Sequence, residues 1–194
     1  MQEPDILEAL EARGAIMRGH FRLSSGRHSD VFVQKFRVFE DPLLTRRLGE
    51  QLAGLYEEDP FDTVAAPAVG AIVLGFAVAL ASAARMIFSE RESDRMTFRR
   101  GFTLEPGERV LVVEDVVTTG GSAKEVVDLV REAGAEPVGA AILLDRSDAE
   151  SPPDLGVPLR SLVRLDVASF TEDDCPQCLE GVELEDPGSR RLRV

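Results

Sequence analysis

Apolar residues at Ile6, Leu7, Leu10 and Ile16 recur at helical spacing and predict a first helix over Pro4 to Met17 that ends around Gly14. From His20 to Phe39 the alternation is irregular. Gly26 follows two serines and precedes aromatic and β-branched residues, which predicts a turn feeding a strand. Asp41-Pro42 opens a second helix, with Asp41 as N-cap, Pro42 in the first turn, and Leu43, Leu44, Leu48, Leu52 and Leu55 on one face.

Beyond Asp59-Pro60 short apolar runs alternate with helical stretches. Strands are expected at Thr63 to Ala66, Arg85 to Glu90, Arg109 to Glu114 and Val138 to Leu144, with helices at Ala71 to Ala83 and Ala123 to Ala133. This alternation predicts an α/β domain around a mostly parallel sheet flanked by helices. Arg91 to Gly107 carries no helical stripe and reads as a mobile loop or hairpin. Past Ser151 come Pro152-Pro153, a strand at Leu159 to Leu165, a Cys175-Pro176-Gln177-Cys178 element and a polar Gly188-Ser189-Arg190 end.

The chain has 194 residues and a formal net charge of −13, a size for one domain with a real core. That charge repels phosphate backbones and anionic lipid heads, so neither nucleic acid nor a membrane is expected as partner, and a small molecule is. The apolar run Ala65 to Ala84 is split by Pro67 and Gly70 into strand and helix, and Met1 to Glu11 is acidic and amphipathic, so the cytoplasm is the expected place. Two cysteines are too few for a disulfide framework and make half of a four-thiolate zinc site.

The stretch that carries chemistry is Val110-Leu111-Val112-Val113-Glu114-Asp115-Val116-Val117-Thr118-Thr119-Gly120-Gly121-Ser122-Ala123. A buried strand ends in two carboxylates, crosses hydroxyls and glycines, and enters a helix. Ser122 and Glu125 are spaced as a capping box. Small residues and free amides at a helix start suit a phosphate, while Glu114 and Asp115 just ahead suit a neighbouring diol. Together these describe a site for a ribose 5-phosphate.

This stretch resembles the phosphoribosyl-diphosphate signature of the type I phosphoribosyltransferases. Three further segments resemble the orotate-specific members. They are His20-Phe21-Arg22-Leu23-Ser24-Ser25-Gly26-Arg27-His28-Ser29, the strand-end turn Ala65-Ala66-Pro67-Ala68-Val69-Gly70-Ala71-Ile72, and Leu143-Leu144-Asp145-Arg146. The resemblance implies a single domain over 1–194. Its core would span about 41–159, with a small hood from about 1–40 and 160–194.

The resemblance also implies transfer from phosphoribosyl diphosphate to orotate. Glu114, Asp115, Val116, Val117, Thr118, Thr119, Gly120, Gly121, Ser122 and Ser25 would bind substrate, and Arg146 would clamp the orotate carboxylate. It implies Mg²⁺ as cofactor, bridging substrate oxygens with no dedicated protein ligands. Arg91 and Arg95 would neutralise the leaving diphosphate, with Asp115 as the central catalytic carboxylate. A homodimer would share the basic loop across subunits. Alternatives are another base, or a pyrimidine-sensing RNA-binding regulator on the same fold, which the net charge disfavours.

The bacterial pattern of that family has lysine where Ser24 stands, Tyr-Lys where Val69-Gly70 stands, and a lysine-rich loop with a histidine, so those contacts do not carry over. His20 and His28 read as surface or hydrogen-bonded residues. The cysteines could share zinc with a second subunit or form a redox-sensitive disulfide, with free thiols the expected state and no catalytic role.

Overall fold

The structure, a computed structural model, describes residues 3–23 and 25–187; Ser24 and the Gly188-Ser189-Arg190 end lie outside the described residues. Helix α1 (Glu3–Ala12) leads into strands β1 (Ile16–Arg22) and β2 (His28–Val33), the short α2 (Phe36–Phe39) and α3 (Pro42–Gly54). Then come β3 (Thr63–Pro67), α4 (Ile72–Ser82), β4 (Arg85–Glu92), β5 (Arg95–Phe98), β6 (Arg109–Val117) and α5 (Gly121–Glu132). Strands β7 (Glu136–Asp145) and β8 (Leu159–Arg164) and the single turn α6 (Pro176–Leu179) complete it.

Six strands form the central sheet in the order β5-β4-β3-β6-β7-β8, parallel throughout except that β5 returns antiparallel along β4. Along β6 the two-residue period divides the core. Val110 and Val112 pack with Val126, Val127 and Val130 of α5, whereas Leu111 and Val113 pack with Leu48 and Leu52 of α3 and Leu74 and Val78 of α4. A truncation at a fully buried position of this strand, such as Leu111→Ala, would cost about 2–5 kcal/mol. Asp41 caps α3 as expected, accepting from Leu43 N and Leu44 N at 3.0 Å.

Two expectations need correction, and one open alternative is decided. Helix α1 stops at Ala12, and Ile16 belongs to β1, because Gly14 at φ 64° turns the chain and Ala15 N donates back to Leu10 O at 2.9 Å. Of the two readings of the stretch after Arg91, the hairpin holds, turning at Ser93 (φ 56°) with Glu92 paired to Arg95. Helix α5 starts at Gly121 with Gly120 as N-cap and no side-chain cap, so Ser122 and Glu125 form no capping box. Glu125 instead accepts from Arg91 and from Met96 N.

The β1–β2 hairpin forms its own two-stranded sheet, and the C-terminal segment runs along it. Phe170 and His28 exchange backbone hydrogen bonds at 2.9 Å, and Glu185 bonds to both His20 and Arg22 at 2.8 Å. Helix α1 packs Ile6 and Leu10 into the main core, and the hairpin adds Ile16 and Val31 to the same cluster.

Candidate active site

Strands β3 and β6 are neighbours, yet α4 and α5, which follow them, cover opposite faces of the sheet. The crevice outside the carboxyl ends of such a strand pair is where open α/β sheets bind ligands. A cavity of about 240 Å³ lies there, lined by Glu114, Val116, Val117 and the whole run Thr118-Thr119-Gly120-Gly121-Ser122. Gly120 has φ 77°, and a Cβ on it would meet Pro153 Cβ at 2.6 Å, so this turn accepts only glycine. With no side-chain cap on the twelve-residue α5, its first amides face the cavity as an anion cradle.

Glu114 is buried at the cavity wall, its Oε1 accepting from Asp115 N at 3.1 Å. Burial first, and the adjacent Asp115 charge second, push the Glu114 carboxyl up to about 8. Asp115 is buried as well, and Lys35, just past β2, reaches it at 3.1 Å to Oδ1 and 2.9 Å to Oδ2. Oδ2 has no aligned hydrogen-bond donor even so, since the lysine lies off its bonding line. The β3–α4 turn closes against this pair. A Cβ on Gly70 would stand 2.3 Å from Asp115 Oδ2 and 2.7 Å from Lys35 Nζ. Lys35 therefore fills, from another element, the space left beside Gly70. It was missed in the sequence because no motif marks it, although it is one of only two lysines in the chain.

Arg146 flanks the cradle, its backbone N donating to Val117 O at 2.8 Å. Its Nε is buried without a partner, and burial pushes its guanidinium down. Asp145 is engaged by Ser147 N at 2.8 Å and by Arg164 at 3.4 Å. A buried, unpartnered guanidinium nitrogen at a strand end is suited to a ligand carboxylate.

The remaining expected residues are spread more widely. Ser25 is exposed at the β1–β2 turn and is not among the cavity-lining residues. Arg91 pairs with Glu125 at 2.9 Å, and Glu125 lines the cavity, so Arg91 stands at its rim. Arg95 pairs with Glu132 at 3.3 Å, seven residues further along α5 and hence about 10 Å from that rim. The structure thus does not bring Arg95 to the cradle of its own chain. Arg99 and Arg100 pair with Glu92 and Glu90 of the same hairpin.

A buried strand ending in two acids, an uncapped glycine turn and an anion cradle at the sheet's crossover are the features that suit a phosphorylated sugar. The phosphoribosyl transferase domain family matches residues 38–158, and the chain belongs to that family. Within it, the chain groups with the orotate phosphoribosyltransferases. It is 48% identical over 188 residues to the orotate phosphoribosyltransferase of Thermotoga maritima, covering 97% of this chain and 100% of that one. It is 45% identical over 192 residues to that of Caldanaerobacter subterraneus subsp. tengcongensis, covering 99% and 100%. The crystal structure of orotate phosphoribosyltransferase from Aeropyrum pernix superposes with a TM-score of 0.70 at 26% identity, covering 82% of this chain and 93% of that one.

Proposed function

We infer that the protein transfers the 5-phosphoribosyl group of phosphoribosyl diphosphate to N1 of orotate, giving orotidine 5′-phosphate and pyrophosphate. The bond from C1 to the diphosphate oxygen breaks as the N1–C1 bond forms. The observation that carries this reading is the placement of Glu114 and Asp115 immediately before the Thr118 to Ser122 cradle, with Arg146 beside it. The cradle amides and hydroxyls hold the 5-phosphate, and the two acids hold the ribose hydroxyls. Arg146 aims the orotate carboxylate, and Arg91 leaves Glu125 to meet the diphosphate. Holding both reactants in line is the main rate effect required of such a site, since no covalent nucleophile is needed. The readings of another base or an RNA-binding regulator have no counterpart in the two relatives above.

The hard oxygen donors present fit Mg²⁺. Asp115 Oδ2 is buried without an aligned donor, and Glu114 adds a second carboxyl beside it. Two carboxyls suit a cation that keeps its waters and takes substrate oxygens. When bound, Mg²⁺ would neutralise diphosphate charge.

A homodimer is supported by the exposed apolar row Val69, Val73, Phe76 and Leu80 at the start and along the outer face of α4. In it, Arg99 and Arg100, paired only within their own hairpin, would serve the neighbouring subunit. Among the described residues no helix is long and apolar enough to cross a membrane. Two free cysteines suit the reducing cytoplasm as the place of action.

The test follows orotate consumption with phosphoribosyl diphosphate and Mg²⁺, beside uracil, xanthine and adenine. Orotate alone should turn over, and Arg146→Ala should raise its KM by about 10- to 100-fold, the worth of a charge-assisted hydrogen-bond pair. Turnover of another base in preference to orotate would reject the reading.

A further inference from the structure

The four residues that the sequence offered as unrelated features, His20, His28, Cys175 and Cys178, meet at one point. Their ligand atoms all lie within 4.8 Å of one another, and all but the half-buried Cys178 are buried. We propose that they form an intrachain tetrahedral zinc site that fastens the C-terminal segment onto the β1–β2 hairpin.

The distances carry the argument. Zn²⁺ bound at about 2.0–2.1 Å to nitrogen and about 2.3 Å to sulfur sets neighbouring ligand atoms about 3.4 Å (N···N) and about 3.6 Å (N···S) apart. His20 Nε2 stands 3.1 Å from His28 Nδ1, 3.5 Å from Cys175 Sγ and 3.6 Å from Cys178 Sγ, and His28 Nδ1 stands 3.2 Å from Cys178 Sγ. These four edges therefore match a zinc coordination tetrahedron to within a few tenths of an ångström. The thiols are free, so no disulfide accounts for their approach.

Hydrogen bonding alone does not satisfy the cluster. His20 Nδ1 lies 2.9 Å from Val182 O, which can only accept, so this nitrogen carries its proton. In the neutral ring Nε2 then offers a single lone pair, while His28 Nδ1 and both thiols crowd onto it. A central cation resolves this, taking one lone pair from each group. The Val182 contact is also the outer hydrogen bond that usually orients a metal-bound histidine.

Local structure aims each ligand. The bulge between Arg18 and Phe21 breaks the alternation of β1, so that consecutive His20 and Phe21 are both buried. Cys175 is N-cap and Cys178 the third residue of the α6 turn, held down by Gln177 Nε2 donating to Gly19 O at 3.0 Å. Two soft and two borderline ligands in a closed set of four select zinc over magnesium or calcium and leave no open position, so the site is structural. Strand β2 starts at His28 and ends two residues before Lys35, so the metal would steady the strand that delivers that lysine to Asp115.

Metal analysis of the untagged full chain, expressed with zinc and purified without chelator, tests this. One zinc per chain is expected. Cobalt exchanged into the site should show thiolate charge-transfer absorption and the visible bands of a tetrahedral centre. Stripping the metal should lower the unfolding temperature, and added zinc should restore it. Cys178→Ser should weaken zinc binding by at least about 10-fold, the smaller loss seen when only an outer contact is removed. A zinc-free protein, one zinc per two chains, or a Cys175–Cys178 disulfide in the isolated protein would each overturn the proposal.

Discussion

Lys35 Nζ lies 2.9 Å from Asp115 Oδ2, and the two side chains differ sharply in exposure, 38% for the lysine and 1% for the aspartate. The aspartate charge is thus held at the inner end of the candidate site by a cation that reaches in from solvent, and the absent side chain of Gly70 gives it room. Removing one partner of such a pair leaves the other uncompensated, which is more costly than never having had the pair.

Gly70→Ala is the least intrusive way to disturb this arrangement. The new methyl cannot coexist with Asp115 Oδ2 at 2.3 Å, and the lysine must withdraw. Turnover should fall by about 100-fold, the usual cost of an ångström-scale misplacement. Circular dichroism should keep its native shape, while the unfolding temperature falls because the buried aspartate loses its cation. Unaltered kcat/KM would show that the pair is not needed for the reaction.

Glu114→Gln should change how stability depends on pH. The Glu114 carboxyl is raised from 4.5 in the unfolded chain to about 8 in the folded one. Below pH 4.5 both states are protonated and nothing is lost. Between 4.5 and 8 the unfolded chain ionises while the folded one resists, so the wild type loses stability as pH rises, by at most about 1.4 kcal/mol per pH unit. The glutamine variant lacks this slope. Urea titrations at pH 5, 6.5 and 8 should show the variant gaining on the wild type, and parallel curves would refute the assignment.

Arg91→Ala and Arg95→Ala should separate. Arg91 borders the cavity through Glu125, and its loss leaves that carboxylate facing the incoming diphosphate. KM for phosphoribosyl diphosphate should rise by about 10- to 100-fold, the worth of a charge-assisted contact. Arg95, paired with Glu132 on the exposed flank of α5, should give less than a twofold change, as expected for a surface ion pair worth about 0–1 kcal/mol. Equal effects would mean that Arg95 reaches substrate by another route, the neighbouring subunit being the first to test by mixing inactive variants.

Tyr56→Phe tests the opposite end of the sheet. The Tyr56 hydroxyl lies 2.9 Å from Ala140 O and 2.8 Å from Pro158 O, tying the turn after α3 to the middle of β7 and the residue before β8, and burial pushes its phenol up to about 12. The hydroxyl has one proton to share between the two carbonyls, and Pro158 O keeps Ala140 N as a donor at 2.9 Å, so its loss should cost about 0.5–1.5 kcal/mol in a denaturant titration. Substrate KM values should stay unchanged.

The parallel strands and the cradle were legible because their signals are local. Buried β6 and β7 are runs of Val, Leu, Ile and Ala, and the acids and glycines after Val113 sit in one continuous window. The start of α5 was misplaced because the Ser122–Glu125 spacing mimics a cap, while tertiary contact with the β4–β5 hairpin claims Glu125. Strand β1 was missed because Ile16 falls by accident on the helical stripe of α1. Lys35 and the His/Cys cluster were invisible for a different reason. Their partners lie far off in sequence, 80 positions for Lys35 and Asp115 and 150 for His28 and Cys178, and only folding brings them together.

Strand β5 is the outermost strand on its side of the sheet, four residues long, and carries Arg95 with 79% of its side chain exposed. A sheet edge is a template for strand addition, and a short charged edge strand refuses the next chain. The basic hairpin thereby also guards solubility. A substitution of its arginines that spares turnover can therefore still cost solubility by opening the edge to filament growth.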